Sequence, residues 1–385
     1  MYQKADSNTV IVRLVGLGDL LMLTPAIRKY KQRIPQEKII LVVGESNKEV
    51  FKNNPYIDII IGVDDARIYS GSLIGQLKEA YRLILLFRKL KPSKIFLLQR
   101  DWRWGMVAIL AGIKKRYGFR RHVHGLLLTK AIATTEKEHE IDKYFRLFGF
   151  DGSKGKDHYR LGIFSGLHDE KCADELVKKL PPGNLIALSP GGAVNTKGEW
   201  ALKRWPLEYY SELVILLANK GYPIVLIGGT MDVPLTKRLG TLVGSMYNDR
   251  IYDLAGKFSI QGTYSILKRC TLMVTHDSGA MHIAAAAGIP VISIFGPTRP
   301  DETKPVTEGS YSFWLRSGLP CAPCYRFGKL PDCKTGACMK AVTPEMVFAK
   351  IIELLVKKNS SLFKRHERIH ADKKQTPSIA GYHLR

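Results

Sequence analysis

Short apolar runs alternate along this chain with stretches in which apolar residues recur every third or fourth position. Val10–Val15, Ile39–Val43, Ile57–Val63 and Ile95–Gln99 read as strands buried on both faces, while Thr24–Ile34 and Leu73–Leu90 show helical spacing. Such βαβ alternation predicts a mostly parallel sheet covered by helices. The pattern weakens across Phe150–Pro182, where DGSKGKD and KKLPPG suggest a domain boundary. A second series follows, with strands expected at Leu185–Ser189, Pro223–Ile227, Leu272–Thr275 and Pro290–Phe295. Its helices are expected at Leu207–Lys220, Ile260–Lys268 and Met281–Gly288. The fold class is therefore α/β. Two Rossmann-like halves are expected, residues 1–165 and 180–356, followed by a polar, basic, flexible tail over 357–385. No internal repeat interrupts this reading.

Charge changes the picture. The 385 residues hold 59 Lys and Arg against 35 Asp and Glu, a formal net charge of +24. Residues 1–160 account for +14, residues 161–356 for +4 and the tail for +6. A surface this basic attracts polyanions: nucleic acid, an anionic membrane face or a phosphorylated substrate. The 45% hydrophobic content argues against disorder, and six cysteines are too few for a disulfide scaffold. Neither a signal h-region nor a membrane-spanning run is visible, so cytoplasmic residence is expected.

Three strand-to-turn junctions could carry chemistry. GLGD (Gly16–Asp19) follows the first strand, with Gly18 close to the chain's first carboxylate in a helix start. It lacks the third glycine of the dinucleotide fingerprint, because Leu21 stands there. Asp19 could be an N-cap or a catalytic base. The second junction, residues 189–210, runs from the glycine pair Gly191 and Gly192 to Lys197, Lys203 and Arg204 before Trp205–Pro206 opens a helix. It reads either as an anion cradle or as a surface loop with solvated lysines, and Trp205 as a packing residue. The third, residues 275–300, places Asp277, Ser278 and Gly279 before a helix of small residues, with His282 one turn on. Its amides could receive a phosphate, or Asp277 or Ser278 could simply cap the helix.

Two further clusters stand outside these junctions. Arg100–Lys130 holds eight Lys and Arg, two Trp and one acid, and reads as a basic acceptor- or membrane-facing surface or as ordinary domain surface. Cys321, Cys324, Cys333 and Cys338 form C-x2-C-x8-C-x4-C, a candidate structural zinc loop or a set of free thiols. Glu136, Glu138, Glu140 and Asp142 read as a solvated acidic segment.

Taken in order, GLGD–TPAI, SPGG–KRWP, VLIGG, THDSGAMH–AAAAGIP–FGPT and CAPC–CM–VTPE resemble glycosyltransferase family 9, the heptosyltransferases of lipopolysaccharide inner-core synthesis. The resemblance runs from about Val10 to Leu355. It implies a GT-B architecture, two Rossmann-like domains facing a central cleft. The acceptor would be held by the first domain and an ADP-heptose donor by the second, in an inverting transfer without a metal or other cofactor. The sequence contains no D-x-D that could clamp a metal–diphosphate. Carried onto this chain, Asp19 matches the general base and Lys203 the lysine that contacts the diphosphate. Asp277 matches the aspartate on the donor sugar, while Ser278, Gly279 and His282, with Gly191 and Gly192, line the phosphate side. Gly18, Arg100 and Arg103 are the expected acceptor contacts. The implied partners are a nucleotide-sugar donor and an anionic glycolipid at the cytoplasmic face of the inner membrane, with no nucleic acid. Another GT-B transferase, an epimerase, or a polyanion-binding protein without catalysis are the alternatives.

Overall fold

The computed structural model describes residues 8–120, 122–135, 137–150, 159–195, 198–306, 312–316, 318–326 and 329–357. The expected basic tail, from 358 on, lies outside the described residues. Two six-stranded sheets organise the chain, and every pairing within them is parallel. The first is built from β1 (Asn8–Val12), β2 (Lys38–Gly44), β3 (Ile59–Val63), β4 (Lys94–Leu97), β5 (Lys115–Phe119) and β6 (Lys130–Ile132), in the order β3-β2-β1-β4-β5-β6. In the second half β7 (Ile186–Ser189) is followed by a small antiparallel hairpin, β8 (Val194–Asn195) and β9 (Gly198–Glu199). Then come β10 (Ile224–Leu226), β11 (Ile251–Asp253), β12 (Leu272–His276), β13 (Val291–Phe295) and β14 (Ser312–Arg316), giving the order β11-β10-β7-β12-β13-β14.

The register explains the continuous apolar runs. Val10 of β1 lies beside Ile40 of β2, and both face a cluster with Leu83, Phe87 and Trp104 from flanking helices. Ile11 and Leu41 face the other way, toward Leu20, Leu23 and Tyr30 of the Leu17–Arg33 helix. Both faces of the sheet are thus dry, as a parallel sheet demands. Each fully buried side chain of this size contributes about 1.5–3 kcal/mol.

Phe150–Pro182 contains more structure than a linker. The Leu167–Lys178 helix lies there, tied to the second half because Arg269 donates to Asp174 (2.7 Å) and Glu170 (2.9 Å). The halves also share one buried apolar cluster, from Leu20 and Met22 to Met281, Ile283 and Phe295. Polar bonds cross as well: Gln261 Nε2 donates to the Glu49 carbonyl (2.5 Å), and His139 Nε2 lies 3.0 Å from the Lys304 carbonyl.

Candidate active site

In doubly wound sheets, ligands bind at the carboxyl ends of the strands where the strand order reverses. Those points lie between β1 and β4 in the first sheet and between β7 and β12 in the second. All three sequence junctions fall there. Beyond β1 comes GLGD, beyond β7 comes Pro190–Gly192, and beyond β12 come Asp277, Ser278 and Gly279.

The GLGD turn is built around glycine. Gly16 has φ +92°, and a Cβ there would meet the Asp19 carboxylate at 2.5 Å. The Leu17–Arg33 helix starts directly after it, so Asp19 sits in the first helical turn and does not cap the helix. Its carboxylate instead pairs with Arg13, whose other nitrogen donates to the Leu98 carbonyl (3.2 Å) beyond β4. Burial alone would lower the Arg13 pKa. The negative charge of Asp19, helped by Tyr144 and Glu140, reverses this and holds the guanidinium above its ordinary value. Asp19 keeps 30% of its side chain exposed, so its carboxylate can be reached from solvent.

The second half mirrors this with a more buried pair. Lys203 Nζ donates to Asp277 Oδ2 at 2.9 Å, with the lysine 20% and the aspartate 10% exposed. Burial pulls the lysine down and the carboxyl up, but each partner's charge outweighs it. The ammonium is held above its ordinary value and the carboxyl below. The Tyr325 ring lies 5.4 Å from Nζ. Ser278 occupies the N-cap position of the Gly279–Ala286 helix in extended backbone without a side-chain cap; its hydroxyl lies 3.3 Å from Thr275 Oγ1. The capping alternative for Asp277 and Ser278 is therefore not realised.

Gly191 and Gly192 are held by a residue that the sequence reading passed over. Asp232 accepts from Gly192 N (2.7 Å) and Gly229 N (2.8 Å), and a Cβ on Gly191 would lie 2.3 Å from its carboxylate. Arg204 closes the loop from the other side, donating to the Gly192 carbonyl (3.0 Å) and to Glu199 (2.5 Å). Trp205 is buried and donates to the Val342 carbonyl (2.8 Å), a packing role. Lys197 lies outside the described residues.

The two junctions touch. A Cβ on Gly18 would meet the His282 ring at 2.5 Å, and one on Gly279 would meet Leu17 at 2.6 Å. Two helix starts, one from each half, therefore meet with only hydrogen atoms between backbone and neighbour. Burial lowers His282 to about 4, so at neutral pH it is an uncharged hydrogen-bonding group there.

Other expectations need correction or relocation. Glu138, Glu140 and Asp142 are not a solvated string: Glu138 accepts from Arg146 (2.6 Å), and Glu140 from the buried Lys143 (2.7 Å). Asp142 accepts from the Tyr159 hydroxyl (3.0 Å), while Glu136 lies outside the described residues. The amphipathic Glu140–Leu147 helix buries Ile141, Tyr144, Phe145 and Leu147, which draws the acids inward. Arg100 sits 3.9 Å from Glu140 and over the Phe119 ring (5.2 Å). Arg103 is bound to Asp101 (2.6 Å), Gln76 (2.9 Å) and the Ile68 carbonyl (3.2 Å). The zinc candidate is not assembled. Cys338 is buried against Gly296 whereas Cys321 and Cys333 are exposed, all are free thiols, and no group of three or more potential ligands among the described residues could hold a metal ion.

Comparison with known proteins decides the class. The profile of glycosyltransferase family 9 (heptosyltransferase) matches residues 85–334. A lipopolysaccharide heptosyltransferase 1 of Pseudomonas aeruginosa is 32% identical over 330 residues, 83% of this chain and 86% of that protein. The chain belongs to glycosyltransferase family 9. A lipopolysaccharide heptosyltransferase 2 of Salmonella typhimurium is 26% identical over 312 residues, covering 78% of this chain and 86% of the relative. The solved structure of the ADP-heptose LPS heptosyltransferase II of Escherichia coli superimposes with a TM-score of 0.71 at 20% identity, over 92% of this chain and 99% of that one. This family 9 glycosyltransferase has the GT-B architecture, with the Arg13–Asp19 pair in the first half and the Lys203–Asp277 pair in the second. Arg13 was detectable in advance as the lone cation inside the otherwise apolar run Val10–Val15.

Proposed function

We propose that this glycosyltransferase moves a heptose from ADP-heptose to the inner core of a lipopolysaccharide acceptor, inverting the anomeric carbon without a metal. The observation that carries the reading is the meeting of the two junctions, which puts a partly exposed carboxylate beside the start of a helix from the other half. An acceptor hydroxyl attacks the anomeric carbon while its proton passes to Asp19 Oδ1, Oδ2 being held by Arg13. As the new C–O bond forms, the bond from that carbon to the diphosphate breaks, and the leaving group departs with the electron pair.

The negative charge that develops on the diphosphate meets Lys203 and the uncapped amides of the Gly279–Ala286 helix. Asp277 holds Lys203 in place and takes donor-sugar hydroxyls; Gly191 and Gly192 let the backbone come close to the phosphates. On the acceptor side, Gly18 lets the His282 ring close against the turn that carries Asp19, and the partly exposed Arg100 meets the acidic groups of the core sugars. Peripheral residence on the cytoplasmic membrane face belongs to the same proposal. Among the described residues, no helix is long and apolar enough to cross a membrane.

The test is transfer itself. Purified protein given ADP-heptose and a heptose-free lipid acceptor should yield ADP and a glycosylated lipid, with an anomeric configuration by NMR opposite to the donor's and a rate unaffected by a chelator. Release of free sugar without acceptor, or retention of configuration, would refute it.

A further inference from the structure

The Leu73–Leu90 helix buries only one of its faces. Glu79, Leu83 and Phe87 turn inward, whereas Leu73, Ile74, Leu77, Tyr81 and Leu85 are 72, 67, 62, 63 and 45% exposed. At 3.6 residues per turn these five fall on one stripe about 120° wide. A helix facing only water would place charges there. The neighbouring Trp102–Leu110 helix, joined to it where Arg88 donates to the Leu110 carbonyl (2.9 Å), adds Trp102 and Leu110 at 54 and 51% exposed. Contiguous apolar surface of this kind marks a binding face.

Charge identifies what it binds. Lys78, Arg82, Arg88 and Lys89 are exposed on the same helix, and its single acid, Glu79, is buried and bound to Arg82 (2.5 Å). Lys91, Lys114 and Lys115 follow, all exposed. A second copy of the chain would bring like charges together. An anionic bilayer answers both features, taking the apolar groups among its acyl chains and the cations at its phosphates. Arg103 Nη1, donating to Gln76 (2.9 Å), ties the start of this helix to the start of the Trp102–Leu110 helix, which follows β4, so the stripe begins near the carboxyl end of the sheet that carries Asp19.

We infer that the protein lies on an anionic membrane surface through the Leu73–Leu90 stripe, its cleft rim turned toward the lipid. The orientation rests on the glycolipid reading above; the lipid contact does not. Flotation of the full chain with phosphatidylethanolamine–phosphatidylglycerol vesicles tests it. Binding should fall about tenfold on neutral phosphatidylcholine vesicles, and by a similar factor in a Leu77→Glu/Tyr81→Glu variant that melts like the parent. Lys78→Glu/Lys89→Glu should weaken binding less and remove much of its salt sensitivity.

Transfer to a water-soluble core fragment should be unchanged in both variants. Undiminished binding by Leu77→Glu/Tyr81→Glu, equal binding to neutral and anionic vesicles, or a dimer in sedimentation velocity that this variant dissolves would each overturn the inference. Loss of vesicle binding in the variant would uphold it even if no heptose transfer were found.

Discussion

The turns after β1 and after β12 are the same structural device with different exposure. Each ends a buried parallel strand, passes through small residues and opens a helix, and each sets an aspartate against a cation. Asp19 keeps 30% exposure and its partner Arg13 directly follows the strand that leads into the turn. Asp277 keeps 10%, and its partner Lys203 comes from a separate loop 74 residues away in sequence. An open carboxylate can exchange a proton with a substrate; a closed one serves as a fixed anchor for a cation. On the proposed function, the difference suits the first turn to chemistry and the second to binding.

The largest expected effect comes from the open pair. Asp19→Asn keeps the shape and removes the base, and should lower kcat about 100- to 10,000-fold. A loss within about threefold, roughly 0.6 kcal/mol in the barrier, would strip Asp19 of that role. Next is the seam between the turns. Gly18→Ala drives a methyl against the buried His282 ring, which must shift, so unfolding free energy should drop by about 1–3 kcal/mol together with activity. Wild-type stability in urea would mean that the two halves do not meet as closely as described.

Lys203→Ala should weaken donor binding at least tenfold, or about 1.4 kcal/mol. It also strands Asp277, but Lys203 keeps a fifth of its side chain in solvent, so the stability loss stays below the about 3–5 kcal/mol of a fully buried pair. A smaller, pH-dependent effect follows from the buried histidines beside the second turn. His276 and His282 are both lowered to about 4 by burial, while the unfolded chain protonates them near 6.5. The unfolded state therefore binds more protons between these values, and stability must fall as pH drops from about 6.5 to 4, by up to about 1.4 kcal/mol per unit for each histidine. His282→Gln should flatten that slope in urea titrations across this range. Smallest of all, added salt should raise the acceptor KM more than the donor KM, because the excess charge lies on the first half.

The central strands and their helices were legible because burial on both faces writes a continuous apolar run. β1 to β4, β7, β10, β12 and β13 fall within or beside the predicted segments. Other strands were not. KRYGF of β5, KAI of β6 and IYD of β11 are short, partly exposed and carry charges, so no run announces them. The site was legible where backbone geometry demands glycine or a helix start. Long-range partners were not: Arg13 reaches across to Leu98, Asp232 reaches back to Gly192, and Glu140 turns inward because its helix buries the opposite residues. Such pairings depend on which strands lie side by side, which periodicity does not reveal.

The division of labour between the two turns can be tested by calorimetry with ADP-heptose on Asp19→Asn and Lys203→Ala side by side. Asp19→Asn should bind ADP-heptose within about twofold of wild type while Lys203→Ala binds it at least about tenfold more weakly. Loss of donor binding in Asp19→Asn, with Lys203→Ala unaffected, would contradict that division.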